Sequence, residues 1–489
     1  MMAVILLLSL IGAALSLIPR RRLVEAVAVA VPLAQLVLVF ALVGSVLGRG
    51  LVTELGGWLA ADALSALVTL IIAGVAAAAA VHSVGFLRED LRGRDLDRGQ
   101  GLRDLQRYFV LYHLFVFAML LIPLSNSLGV VWIAIEGTTL ASLFLVSYYG
   151  TREALEAAWK YVIIGSVGIA LALFGTILAY YAAVPVLGLT FDLNWSSLTA
   201  AAGRLDPAVM RLAFLFIVVG YGTKAGLAPM HTWLPDAYSE APSPVSALLA
   251  AGLESAAIYA ILRFYTLAAP SVGVTEVALL LLGFGLLSLV VSALFMLRQA
   301  DYKRLLAYSS IEHMGLVVVA VAFGGPLGMT AALLQLVSHA LAKSLTFFAA
   351  GHVLLRYETK DIDHVSGVLR ALPTSGTFLL LGGLALTGAP PFGLFVSEVA
   401  VLAAGFHAGF GIAAVVCLGC LVVIFVAFMG HLNRMAFGRV PADVLRGERA
   451  RIGWIPLWVE GALLVILGLS LPGQFGALIH AATLALGVS

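Results

Sequence analysis

Ionisable residues stand inside stretches of this chain that are otherwise apolar. They are Glu136 in VWIAIEGTTLASL, Lys160 in AAWKYVIIGS, Lys224 in GYGTKAGLAP, Glu254 in AGLESAAIY, Glu312 and His313 in YSSIEHMG, His339, Lys343 and His352 in SHALAKSLTFFAAGH, and Glu398 in GLFVSEVA. His231 follows Lys224 across a Gly/Pro break, and Ser255 follows Glu254. Lysine, glutamate and histidine exchange protons near neutral pH when burial and a partner act in opposition. Arginine does not, and none belongs to this set. That selection points to proton movement rather than to fixed ion pairs. His339 and Lys343 are four apart and share one helix face.

Other chemistries are excluded. The sequence has no phosphate-binding glycine loop, no nucleophile elbow and no metal-ligand spacing. Cys417 and Cys420 form a C-x-x-C pair in an apolar run and read as small buried hydrophobes, because a zinc or iron–sulfur site needs more ligands. His339 and His352 do not read as haem ligands, since Lys343 shares a face with His339 and its charge opposes a haem iron. No cofactor is expected in this chain.

The elements that position these residues must cross a membrane. Hydrophobic residues make up 62% of the 489 positions and charged residues 11%, which is the composition of an integral membrane protein. A net charge of +2 indicates no nucleic-acid partner. Apolar runs of bilayer-spanning length lie near 2–18, 23–47, 58–86, 107–127, 129–149, 157–183, 209–230, 243–268, 274–297, 304–323, 328–355, 375–404, 408–433 and 454–472, which makes fourteen. The first is read as a membrane helix and not a signal peptide, because no basic segment precedes it. Lysine and arginine split 21 to 4 between loops after odd-numbered and after even-numbered runs, Arg49, Arg204, Arg211 and Arg263 being the four. The positive-inside rule then places both termini outside and the basic loops in the cytoplasm. The stretch from Arg88 to Arg107 reads as a solvated cytoplasmic loop.

Two runs are interrupted. The seventh breaks at KAGLAP and the twelfth at LTGAPPFG, each beside an ionisable residue, and each goes on to a Ser-Glu pair, Ser239-Glu240 and Ser397-Glu398. A charge at a helix centre costs roughly 3 kcal/mol on insertion scales. Broken backbone at bilayer depth costs several kcal/mol more unless it is buried in protein or lines a hydrated cavity. The breaks lie five runs apart, and an odd number of spans inverts the second unit, so the pattern predicts an inverted-topology repeat. The expected organisation is 1–106 (three helices and a loop), 107–270 (helices four to eight, first repeat), 271–437 (helices nine to thirteen, second repeat) and 438–489 (helix fourteen and tail).

The motifs KAGLAPMHTWLPDAYSEAPSPVSALL, KRLLAYSSIEHMG, SHALAKSLTFFAAGH and GAPPFGLFVSE are long and specific. They resemble the antiporter-like, proton-conducting membrane subunits of respiratory complex I, group 4 NiFe hydrogenases and multisubunit Mrp-type cation/proton antiporters. In wording they are most similar to the hydrogenase-4 component F type of formate hydrogenlyase-like complexes. The resemblance implies an all-α fold of fourteen helices with inverted repeats. It implies that Glu136 pairs with Lys224, and that a hydrophilic axis runs through Lys343 to Glu398, with His231, His313 and His339 shaping hydrated branches. It also implies neighbouring antiporter-like and connecting subunits and membrane lipids as partners. A peripheral hydrogenase-like or quinone-reducing module would hold the NiFe and iron–sulfur centres, in a bacterial or archaeal cytoplasmic membrane. The family often carries a lysine at the position of Ser255. With Glu254 one residue earlier and about 100° around the helix, the expectation is that Ser255 faces the axis and relays through water. A multisubunit cation/proton antiporter is the alternative reading.

Overall fold

The computed structural model describes residues 1–92, 95–189, 191–448 and 453–487. Arg94, Arg449 and Arg451 of the basic count, and Ser489, lie outside the described residues. The chain is a bundle of helices. In order they are α1 (Met2–Ser16), α2 (Arg21–Arg49), α3 (Ala63–Asp90), α4 (Gly99–Leu124), α5 (Leu128–Val146), α6 (Arg152–Leu187), α7 (Trp195–Ala201), α8 (Pro207–Ala225), α9 (Trp233–Glu240) and α10 (Ser243–Val272). Then follow α11 (Val274–Met296), α12 (Tyr302–Phe323), α13 (Gly325–Tyr357), α14 (Pro373–Leu386), α15 (Gly393–His407), α16 (Gly411–Ala436), α17 (Trp454–Leu469) and α18 (Gly473–Ala485). Several starts follow from sequence: Asp62, Asp206 and Asp301 each accept backbone N–H bonds at a helix N-terminus, and Pro207 opens α8.

Among the described residues, eleven helices are long and apolar enough to cross a membrane, or twelve if α17 and α18, bent by 72°, form one span. α1, α14 and α15 are shorter apolar helices. The last run was expected to stop near 472, and the structure adds α18 after the bend. Residues 52–61 form a small antiparallel ribbon, Val52–Glu54 with Leu59–Ala61, so the fold is not wholly helical. Much of the polar stretch from Arg88 to Arg107 is helix, because α4 begins at Gly99. Many of the basic residues counted with the loops stand on helix ends, Arg21, Arg88, Arg152 and Arg434 among them, and two are deeply buried. Arg263 lies inside α10, and Lys303 is buried at the start of α12, donating to the Ser239 and Ala241 carbonyls at 2.9 and 2.5 Å.

Burial sorts the helices. α10 is buried throughout its most apolar window, and α12 and α13 over 94% of theirs, whereas α2, α6 and α16 reach 39% and turn Leu, Val, Ile and Phe outward, as lipid-facing helices do. The three central helices carry Glu254, Glu312, His313, His339 and Lys343. Close approach of α6 and α8 rests on small residues. A Cβ on Gly168 would lie 2.6 Å from Thr223, and one on Gly220 would lie 2.5 Å from the Ala172 nitrogen.

Both expected breaks are present. α8 ends at Gly226 in the left-handed conformation and resumes as α9 at Trp233. α14 ends at Leu386, Gly388 adopts φ +63°, and α15 starts at Gly393. Within α10, Leu248–Leu253 forms a π-helical segment that ends directly at Glu254.

Candidate functional site

Lys224 occupies the last turn of α8, fully buried. Its Nζ donates to Tyr161 Oη at 2.9 Å and lies 4.2 Å from the Tyr161 ring centroid and 5.8 Å from that of Trp233. Trp233 is held by its Nε1–H on the Thr223 carbonyl, 2.8 Å away, so the first residue past the break is tied to the helix before it. Glu136, half-buried on α5, accepts from Thr139 and Ser166 at 3.4 Å each. The resemblance implies a Glu136–Lys224 pair; in this structure that pair is open, and Tyr161 takes the lysine.

Past the break, Trp233 meets Tyr238 edge-on at 6.0 Å. Tyr238 donates to Glu254 Oε1 at 2.6 Å, and His339 Nε2 lies 3.1 Å from Glu254 Oε2 and 3.2 Å from the Ala250 carbonyl. Glu254, not Ser255, therefore faces the centre. Ser255 donates to Ala251 O at 2.6 Å, within its own helix. The expected order is reversed because a π turn carries one extra residue and shifts the face that follows it. An ideal helix drawn from the sequence misses that shift.

The line continues from His339 to His313, with ring centroids 5.0 Å apart. Lys343, one turn beyond His339 on α13, donates to the Leu306 carbonyl and to Ser309 Oγ of α12. Glu312, His313 and Glu398 converge where α12 meets the second break, with one ligand atom from each all within 4.8 Å of one another. Both Glu312 carboxylate oxygens, Glu398 Oε1 and His313 Nε2 are buried without a hydrogen-bond partner.

Three expected members lie elsewhere. Lys160 is 46% exposed and pairs with Glu156 and Asp236 at 2.7 and 2.9 Å, on the outer side of α6. His352 lies nine residues after Lys343, which places it on the opposite face of α13. There its Nδ1 meets Ser375 Oγ at 2.8 Å, and its ring centroid lies 4.9 Å from that of His82 of α3. His231 lies in the first break beside Phe295 and Tyr308, with centroid separations of 6.4 and 6.5 Å. Sequence reasoning missed three residues. Tyr161, the partner of Lys224, carries no charge and stands unmarked in AAWKYVIIGS. Tyr238 carries no charge, and only its place in the WLPDAY motif marks it. Glu460 stands alone in the apolar run WVEGALLVILG, the same signal that marked the others, and accepts from Ser344 at 2.6 Å while 3% exposed.

Residues 125–424 match the family described as NADH:quinone oxidoreductase/Mrp antiporter, transmembrane. The chain belongs to this family. The matched segment contains the whole line from Glu136 to Glu398. It is similar to a hydrogenase-4 component F homologue of Methylacidiphilum infernorum (isolate V4), 40% identical over 370 residues, 76% of this chain and 77% of that one. It is also similar to NADH-quinone oxidoreductase subunit N of Desulforudis audaxviator, 29% identical over 354 residues, 72% of this chain and 69% of that one. Among solved structures, a chain of the membrane-bound sulfane sulfur reductase, an archaeal respiratory membrane complex, superposes with a TM-score of 0.85 at 25% identity, covering 99% of this chain and 97% of that one. This protein is thus a multi-pass, antiporter-like membrane subunit of the complex I, group 4 hydrogenase and Mrp class.

Proposed function

We propose that this chain is the proton-translocating membrane subunit of a redox-driven complex, of the group 4 NiFe hydrogenase or formate hydrogenlyase-like kind. The observation that carries the reading is the buried contact sequence Lys224–Tyr161, Tyr238–Glu254–His339 and His313–Glu312/Glu398, spread over α6, α8, α9, α10, α12, α13 and α15. Its members are titratable side chains with few compensating hydrogen bonds, so each holds a proton without being fixed in one charge state. The Trp233–Tyr238 ring contact packs the first half against the second.

Lys224 and Glu136 act as a switch in this reading. When the pair closes, the lysine is held charged; when it opens onto Tyr161, as here, the proton is released toward Glu254. α1, the broken pair α14–α15 and the bent pair α17–α18 each complete one crossing, which brings the count to fourteen. Residues 107–270 and 271–437 form the two inverted units, with both termini outside and the basic loops in the cytoplasm of a prokaryotic cell. Other antiporter-like and connecting subunits flank the chain. A peripheral module with NiFe and iron–sulfur centres drives it. The family's Mrp branch supplies the second reading, a subunit of a cation/proton antiporter.

Glu136→Gln and Lys224→Ala test the proposal in vesicles containing the intact complex. Each variant is expected to lose coupled proton uptake while the peripheral module still turns over. Normal coupled uptake in both variants contradicts it.

A further inference from the structure

The group at the second helix break, Glu312, His313 and Glu398, holds more acceptors than donors. Glu312 and His313 are fully buried and Glu398 is 7% exposed. No N–H or O–H reaches either Glu312 oxygen, Glu398 Oε1 or His313 Nε2. The Leu386 carbonyl lies beside the His313 ring and is another acceptor. Lys343, the nearest cation on α13, is engaged by the Leu306 carbonyl and Ser309 Oγ, while Glu254 and His339 bond to one another. Buried acceptors without donors are costly unless a cation joins them.

The residues behind the group orient it. Gln335 Nε2 lies 2.9 Å from His313 Nδ1, and Ser397 Oγ contacts Gln335 Oε1. Ser397 Oγ also has backbone acceptors of its own in the carbonyls of Leu394 at 3.0 Å and Gly393 at 3.2 Å. It can therefore accept from the amide while donating to a carbonyl. Turning the Gln335 amide over, an exchange of N and O that keeps the same contacts, lets Oε1 accept from His313 Nδ1–H. The lone pair is then on Nε2, which has no hydrogen-bond partner. A metal-bound imidazole needs this outer hydrogen bond. The helix break makes the room: a Cβ on Gly388 would lie 2.0 Å from Glu398 Oε2.

We propose that Glu312, His313 and Glu398 bind a divalent transition cation of the Zn2+ class, in competition with the protons of the row. The set of two carboxylates and one imidazole suits zinc, with bonds of about 2.0–2.2 Å. Ligand atoms around such an ion stand roughly 3.3 Å apart by tetrahedral geometry, and the present separations are all within 4.8 Å. Binding takes the ion from water and releases the proton that the carboxyls hold. The consequence for transport rests on the proposed function: an ion seated there occupies the end of the row and stops proton passage.

The test uses the full-length chain, purified in detergent and stripped with a chelator. ZnCl2 titration by calorimetry is expected to give one binding event per chain, and X-ray absorption an oxygen/nitrogen shell containing one imidazole. Glu312→Gln and His313→Gln should each remove that event, and Gln335→Leu should weaken it by about tenfold, the usual size of an outer hydrogen bond's effect on metal affinity. Asp361→Asn, in an exposed loop, should leave it unchanged. Circular dichroism of each variant checks that it is folded. An event that persists in folded Glu312→Gln and His313→Gln, or no event in the wild type, overturns the site. Proton uptake by the intact complex is read separately with ZnCl2 present. Zinc bound at this group with uptake unimpaired leaves the site standing and contradicts the transport role of the row.

Discussion

Two buried charge clusters in this molecule are built in opposite ways. On α10, the Arg263 side chain is 2% exposed and both of its terminal nitrogens are engaged. Nη1 donates to Asp62 Oδ2 at 2.8 Å, Nη2 donates to Ser65 Oγ at 2.8 Å and to Asp62 Oδ1, and the guanidinium carbon lies 3.9 and 4.9 Å from the ring centroids of Trp195 and Tyr259. Nine residues earlier on the same helix, Glu254 has one tyrosine and one histidine, and Glu312 has no partner. The first cluster uses the one side chain that does not lose its proton and surrounds it with acceptors and rings. The second uses side chains that do, and leaves them short of partners. The difference teaches that burial alone does not mark a transfer residue; the balance of partners does.

The largest expected effect breaks the fixed side of that comparison. Arg263→Met leaves Asp62 without its cation, and removing one partner of a buried pair costs about 3–5 kcal/mol. Chemical unfolding of the purified chain in detergent should show that loss, while proton uptake per assembled complex stays near normal. Loss of uptake in assembled complexes would place Arg263 in the moving side instead. Tyr238→Phe is next. It removes the 2.6 Å donor to Glu254, a bond to an ionisable group worth about 1.5–3 kcal/mol, and is expected to lower stability by no more than that while slowing uptake roughly tenfold. A loss of stability with uptake unchanged would make Tyr238 a packing residue. The smallest effect is expected at Lys160, whose exposed pairs with Glu156 and Asp236 contribute less than about 1 kcal/mol. Lys160→Ala should leave both uptake and stability unchanged, and a clear loss of uptake would restore it to the row.

Much of this was legible in the sequence, for physical reasons. Charges at bilayer depth are costly wherever they occur, so Lys224, Glu254, Glu312, Lys343 and Glu398 stand out against an apolar background. Gly and Pro clusters located both breaks, which the structure places at Gly226 and at Gly388. What failed depends on facing. His352 shares a helix with Lys343 and still points to α3, and Lys160 looks central by sequence depth while its helix turns that side outward. Ser255 and Glu254 exchanged places because the π segment before them does not announce itself in composition. Arg263 was grouped with the loop residues although it lies inside the run 243–268, and its pairing with Asp62, on a distant part of the chain, is a contact that no local pattern reveals.

The central claim is that the partner-poor row, and not the Arg263–Asp62 cluster, carries protons through this chain. Glu254→Gln tests it most directly, since glutamine keeps the shape and the contacts to Tyr238 and His339 but cannot take up a proton. The measurement is protons taken up per electron transferred, read together in sealed vesicles containing the intact complex. The account predicts that the ratio falls well below that of the wild type while electron transfer continues. An unchanged ratio in assembled Glu254→Gln complexes would contradict it.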